Sequence, residues 1–331
     1  MVSPPLRSRA PRELASAPSA GGFCGPPAAG AMQLARVRAG GAPRARRGAA
    51  LLASCAAAAL AAHRCLAFGL LAGRSSGVKR GAVAVGRRAV QTVEEVRTEV
   101  RGKEGSAEFR RFFLGADGKE VSPWHDLPLE VSGVKGDFWM VTEIPKMTKP
   151  KMEIATKEPW NPIAQDVKNG ALRDYHGPIF WNYGFLPQTW EDPSHMHNEL
   201  KVNGDDDPVD VVEIGSRAHK QGEIVRVKVL GVLAMIDSGE LDWKVIAISA
   251  DDELADQLND IKDVETKMVG VVAGIREWFR WYKTPDGKPL NSFGYGEEVL
   301  GKKRALEVIQ ETHDSWARLR ESGGSKLWTG K

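Results

Sequence analysis

Four aspartates fall within six positions, Asp205, Asp206, Asp207 and Asp210, in the segment Asn203-Gly204-Asp205-Asp206-Asp207-Pro208-Val209-Asp210-Val211-Val212. Val209, Val211 and Val212 begin a core strand beside them, so the carboxylates crowd against apolar material. Crowding of this kind raises some carboxyl pKa values unless a cation is present. Oxygen ligands without histidine or cysteine suit Mg²⁺ or a similar hard ion, not zinc. An EF-hand is excluded, because it needs acids at alternate positions and a glutamate at the twelfth. Taken alone, the run reads equally well as an acidic turn, since Asp and Gly favour turns and Pro breaks strands.

A second acidic pair, Asp237 and Asp242, lies in MIDSGELDWKVIAI (235–248). Asp237 ends one strand signal and Asp242 opens the next. A hairpin would bring both to one end of a barrel, although a plain hairpin turn accounts for the same residues. Cations and phenols are available in Lys151, Arg173, Lys244, Lys283, Tyr183 and Tyr282. Each of these singly reads as a surface charge or a core aromatic. Together with carboxylate-held Mg²⁺ they are equipment for phosphoryl transfer, where positioning and charge neutralisation do most of the catalysis.

These residues need elements to hold them. DFWMVTEI (137–144) alternates like a strand, and Pro145 stops it. In KMEIA (151–155), Met152 and Ile154 share one face, which turns Lys151 and Glu153 to the other. The segment 94–112 is charged and reads as an exposed approach strand. Residues 159–194 carry five prolines and many aromatics, the composition of a packed functional loop system. Short strand signals with Gly turns recur over 209–250, as in a closed barrel or a sandwich. Three- and four-residue spacing of apolar residues predicts a helix in 263–282, with Gly270 and Gly274 as weak points, and another in 302–320. Strands followed by helices argue for an α+β fold.

The same segments resemble soluble family I inorganic pyrophosphatases of the eukaryotic type. DDDPVDV (205–211) fits that family's signature. EIP (143–145), KMEI (151–154), NPIAQD (161–166), NYGFLPQTWEDP (182–193), DWKVIAI (242–248), EWFRWYKTPDGKP (277–289) and ETHDSW (311–316) follow in family order. The resemblance covers roughly residues 95–320. It implies a closed antiparallel OB-like β-barrel with C-terminal helices packed on it. The implied activity is hydrolysis of inorganic diphosphate by three to four Mg²⁺ ions per active site.

By the same resemblance, Asp205, Asp210 and Asp242 hold the first metal, and Asp210 bridges to the second. Asp237 and Asp242 hold a third that arrives with substrate. Asp207 helps deprotonate the nucleophilic water, so Asp205, Asp207 and Asp210 form the catalytic centre. Glu143 and Glu153 act through water. Lys151, Arg173, Tyr183, Tyr282 and Lys283 bind phosphate, with Lys244 beside them. Two departures stand out. Ile179 lies near the place where the family has a tyrosine, and Lys146-Met147 replaces an Arg-Trp near the family's dimer contact. A homodimer is the partner arrangement that the resemblance carries. The alternative function is a silent diphosphate- or metal-binding regulator. Loss of Asp205, Asp207, Asp210 or Asp242 would favour it, and all four are present.

Charge divides the 331 residues into two unlike parts. Residues 1–93 hold 13 Arg, Lys79 and a single acid, Glu13, for a net +13. The chain as a whole is +3, which leaves −10 for residues 94–331. An acidic body repels phosphate backbones, so nucleic acid is not an expected partner. All three cysteines, Cys24, Cys55 and Cys65, lie in the basic part. The body therefore has no disulfide framework, no Cys-ligated zinc and no thiol nucleophile.

The basic, Ala/Ser-rich, acid-poor leader reads as an organelle targeting presequence, largely disordered and removed by processing somewhere in 70–95. Its apolar run, Ala49 to Ala62, is shorter than the roughly 20 residues that span a bilayer. No permanent anchor is expected. A signal-like stretch followed by an Arg-rich one is similar to the bipartite presequences of algae with complex plastids. Plastid is the first expected location and mitochondrion the second. The body, 94–331, is read as one pyrophosphatase domain.

Overall fold

The computed structural model describes residues 92–322 and 326–330. The expected leader, with its apolar run and most of its processing region, lies outside these residues. Among the described residues no helix is long and apolar enough to cross a membrane. The strands that matter for the site are β1 (Arg97–Arg101), β2 (Arg110–Leu114), β3 (Asp137–Ile144), β4 (Met152–Ile154), β5 (Ile163–Gln165), β6 (Asn182–Phe185), β7 (Asp210–Glu213), β8 (Ile224–Asp237) and β9 (Glu240–Ser249). Three α-helices follow: α1 (Ile261–Lys267), α2 (Val271–Trp281) and α3 (Lys302–Ser322). The order is the α+β one that the sequence implies. β1 is exposed along its whole length, as expected of an approach strand, and pairs antiparallel with β2. β2, β5 and β4 continue that smaller sheet.

In the larger sheet β3, β6, β7, β9 and β8 are paired in that order, and β8 pairs back with β3. The pairings therefore form a ring. β7 and β9 run parallel, with Asp210 beside Lys244, while the other four pairs are antiparallel. The expected all-antiparallel arrangement is thus corrected to a mixed sheet. The reason is parity. Direction cannot alternate around a ring with an odd number of strands, so one neighbouring pair must be parallel. The long β8 supplies the crossover that a parallel pair needs.

Two bulges aim side chains at the site. The register between β8 and β9 shifts between Val229 and Gly231, which leaves Leu230 as the extra residue. Before the shift Val225, Val227 and Val229 pack with α3; after it Val232 and Ala234 do. Were Leu230 paired in register instead of bulged, unbroken alternation would send Asp237 to the α3 side. With the bulge, Asp237 follows Leu233 and Met235 on the opposite face. A second shift, between Thr142 and Ile144, makes Glu143 the extra residue of β3.

β9 divides its side chains in the same way. Leu241, Trp243, Val245 and Ala247 pack with Ala305, Val308 and Ile309 of α3. Ile246 and Ile248 pack on the other face, with Ile275 and Phe279 of α2. Each fully buried aliphatic side chain contributes about 1.5–3 kcal/mol. The 263–282 periodicity resolves into two helices instead of one. The break falls before Gly270, whose φ of 89° is open to glycine at little steric cost.

Candidate active site

The aspartate run is a loop with a left-handed residue at its centre. Asp206 takes φ 74°, a region that aspartate enters more readily than most side chains. Asp205 and Asp207 line a cavity of about 360 Å³, while Asp206 accepts a hydrogen bond from Trp190 Nε1 at 3.1 Å. Two backbone bonds fasten the loop to residue 191: Asp206 N donates to Glu191 O at 3.0 Å, and Glu191 N donates to Asp207 O at 2.9 Å. Gly204 is required at this approach, since a Cβ there would lie 2.5 Å from Glu191 O. The strand β7 begins only after this anchored turn.

From the ring, β7 supplies Asp210 and β9 supplies Asp242 and Lys244. Lys244, buried, donates to Asp210, to Asp242 and, at 2.9 Å, to Tyr183 Oη; Tyr183 in turn donates to Asp210. Asp237, at the end of β8, accepts from Lys283 and, at 3.0 Å, from Tyr282 Oη. The β8–β9 hairpin does bring Asp237 and Asp242 to one end. On the third side Lys151 donates to Glu153 and, at 3.2 Å, to Asp166, which also accepts from Arg173. The alternation across β4 turns Lys151 and Glu153 to one side, as the sequence predicts. Glu143 Oε1 accepts from Ile154 N at 2.6 Å, which ties β3 to β4.

The carboxyl groups respond to this crowding in two ways. Burial, reinforced by neighbouring carboxylates, drives Glu143, Glu191 and Asp205 well above the usual range. Asp207 is pushed up to about 7, first by burial and then by Glu153 and Asp210. Burial also raises Asp242, and Lys244 draws it only part of the way back, to about 7. At Asp237 burial is outweighed by the bonds from Lys283, Ser238 and Tyr282, and its pKa is lowered. Burial alone would discharge Lys244, but Asp210 and Asp242 reverse that effect and hold it protonated.

A single cavity gathers every residue to which the resemblance gives a role: Glu143, Lys151, Glu153, Arg173, Tyr183, Asp205, Asp207, Asp210, Asp237, Asp242, Lys244, Tyr282 and Lys283; Asp206 lies outside it. Three participants were not singled out. Asp166 holds both Lys151 and Arg173. Tyr175 lines the cavity, whereas Ile179, near the place where the resemblance wants a tyrosine, is wholly buried in the apolar core. Glu191 is the third, and its carboxylate oxygen lies within 4.8 Å of oxygens from both Asp205 and Asp242. Glu191 and Asp166 lie in segments that carry the resemblance, but no spacing rule marks either as functional.

This donor set fits a hard divalent cation. Glu191 Oε1 accepts from Trp243 N at 2.9 Å, but its buried Oε2 has no partner. Such an atom is costly unless something satisfies it. Nine carboxylates and six cationic side chains line the cavity, a formal excess of three negative charges. Oxygen-only ligands in surplus over their counter-ions suit Mg²⁺.

A family profile described as inorganic pyrophosphatase matches residues 140–317. The soluble inorganic pyrophosphatase 6, chloroplastic, of Arabidopsis thaliana is 54% identical over 226 residues, which is 68% of this chain and 75% of that protein. The soluble inorganic pyrophosphatase 1, chloroplastic, of Chlamydomonas reinhardtii is 55% identical over 223 residues, 67% of this chain and 78% of that one. Among solved structures, the type I inorganic pyrophosphatase from Toxoplasma gondii superposes with a TM-score of 0.65 at 49% identity, covering 68% of this chain and 99% of that one. An N-terminally truncated vacuolar soluble pyrophosphatase from Trypanosoma cruzi, solved in complex with PPi, gives a TM-score of 0.66 at 40% identity, covering 76% of this chain and all of that one.

Proposed function

We propose, from the premise that the chain belongs to the inorganic pyrophosphatase family, that this cavity hydrolyses inorganic diphosphate to two phosphates with Mg²⁺ held on its carboxylates. The observation that carries the metal requirement is the crowding of the cavity's carboxyls: burial and mutual repulsion raise Glu143, Asp205, Asp207 and Asp242, and divalent ions bound among them would relieve that repulsion and supply charge for a diphosphate.

Asp205, Asp210 and Asp242 would hold the first ion, joined by Glu191, one carboxylate oxygen of which lies within 4.8 Å of oxygens of Asp205 and Asp242. Asp210 would reach a second ion, and Asp237 with Asp242 a third. Glu143 and Glu153 would act through water, for three to four ions in all. Bound Mg²⁺ supplies positive charge that lowers the pKa of water and offsets the charge of the diphosphate.

The remaining work belongs to the chain's own side chains. Water attacks one phosphorus, and the bond from that phosphorus to the bridging oxygen breaks. Asp207 takes the proton of the attacking water. Lys151, Arg173 and Lys283, with Tyr183 and Tyr282, hold the two phosphates and take up the charge that develops on the leaving one. Lys244 and Lys283 are counter-ions of Asp210, Asp242 and Asp237 in this structure. Divalent ions on those acids would free the lysines for the anion.

The same reading makes the ring of five strands the OB-like barrel of the family. It also places the mature protein in a plastid, on the basic leader and the chloroplastic relatives. The test is phosphate release from diphosphate by the purified chain. Release that needs Mg²⁺ and stops with chelator is the expected result. Diphosphate binding with no release under those conditions would leave the chain a silent regulator.

A further inference from the structure

Tyr175 belongs to the cation-bearing side of the cavity, where its ring packs but its hydroxyl bonds nothing among the described residues. Its segment runs antiparallel to the one that carries Lys151: Lys151 N donates to Arg173 O at 3.0 Å, and Tyr175 N donates to Lys149 O at 2.7 Å. The alternation of an extended chain puts Arg173 and Tyr175 on the same side. Asp174, between them, turns outward and accepts from Gln165 Nε2 at 2.8 Å. The ring of Tyr175 is 7% exposed and fixed edge-on against Trp278, at 4.9 Å and 85°, and against Tyr282, at 5.8 Å and 81°.

Its hydroxyl feels the charges at the centre of the cavity, Lys151, Lys244, Asp210 and Glu153. Tyr183 and Tyr282, the other two phenols there, each donate to a carboxylate. Among the described residues the Tyr175 hydroxyl has no hydrogen-bond partner. The ring is withdrawn from water, while the hydroxyl is not among the buried atoms left unpartnered and opens to the cavity, where a ligand can reach it. Burial pushes its pKa up, so the group is a proton donor throughout the neutral range.

We propose that the Tyr175 hydroxyl is a substrate contact, donating a hydrogen bond to a phosphate oxygen of the diphosphate held beside Lys151 and Arg173. This rests on the function proposed above. A fixed neutral donor among cations adds direction where the cations supply charge, and it selects a tetrahedral anion with an oxygen at that point. Tyr175 is then a binding residue that sequence spacing around Tyr183 does not reveal.

The experiment uses the full chain carrying Tyr175→Phe, which keeps the ring and removes only the hydroxyl. Steady-state hydrolysis of Mg-diphosphate is measured, together with calorimetric binding of imidodiphosphate, a non-hydrolysable analogue, in the presence of Mg²⁺. A lost hydrogen bond to a charged group predicts KM and the analogue's Kd raised about tenfold. kcat and Tm should hold, because the contact is made equally in the ground and transition states. An unchanged KM and Kd would overturn the proposal. So would weaker binding accompanied by a fall of several degrees in Tm, which would make the phenol a packing group. Turnover by the unsubstituted chain, assayed alongside, tests the function separately: its absence sinks the reading of the cavity, whatever Tyr175→Phe does.

Discussion

Glu213 and Glu191 are both withdrawn from water, yet they end in opposite electrostatic states. Glu213 Oε2 accepts from Asn182 Nδ2 at 2.7 Å and pairs with His219 Nε2 at 3.0 Å. Its Oε1 accepts from Gly215 N and Ser249 N, both at 2.7 Å. Burial would raise its pKa, but these partners outweigh burial and lower it. Glu191 has one donor and an orphaned oxygen, and its pKa is raised. The protein completes one carboxylate with its own donors; on the function proposed above, the other is left to be completed by a ligand.

The largest effect that would test this contrast is on activity. Asp207→Asn should lower kcat by about 10²–10⁴-fold, the usual worth of a general base. It should do so without lowering Tm, because it removes a carboxylate that the metal-free cavity only strains to hold. Phosphate release and thermal melting together check this, and normal turnover would remove Asp207 from the mechanism.

Next comes stability. Glu213→Ala leaves buried donors facing nothing and should cost about 3–5 kcal/mol in denaturant unfolding. Glu191→Gln, in chelator, should leave stability level or raise it, since it relieves repulsion from Asp205 and Asp242. Equal losses from the two substitutions would erase the distinction.

Mg²⁺ sharpens it further. At a hundred times Kd a ligand of the folded state stabilises by about 2.7 kcal/mol. That gain should appear in the melting of the unsubstituted chain, shrink in Glu191→Gln and Asp205→Asn, and persist in a folded variant altered outside the cavity.

The last effect is on pH. Asp207 and Asp242 are raised from 3.8 to about 7 on folding. In that window the folded chain holds more protons than the unfolded one, so their contribution to stability falls as pH rises from near 4 to near 7. Glu213, lowered on folding, contributes in the opposite sense, and its share is lost as pH falls through its folded pKa. Melting in chelator should therefore show the acid cluster destabilising the chain towards neutral pH, and saturating Mg²⁺ should abolish that trend.

Local features of the fold were legible in the sequence. The strand 137–144 and the Lys151–Glu153 alternation were read correctly because a period of two is written in adjacent residues. The helix over 263–282 was read as one piece because periodicity alone carries across Gly270, although the backbone turns left-handed there. The parallel β7–β9 pair was not legible, because it follows from how the five strands close on one another. Within the site, the aspartates announced themselves by crowding. Glu191, Asp166 and Tyr175 did not, since each is an ordinary residue in a loop until a distant segment is placed beside it.

The sequence by itself determined the inventory: an acidic body behind a basic leader, an oxygen-only ligand set, and enough lysine, arginine and tyrosine to receive an anion. It also favoured the left-handed turn at Asp206, because backbone preference is a property of neighbouring residues. Only the tertiary structure decided which carboxylates share a cavity, which are neutralised by a lysine, and which oxygen is left without a donor. Burial and pairing arise between segments far apart in the chain. The bulge at Leu230 settles where Asp237 points, and the crowded cavity raises Asp207 well above an ordinary acid.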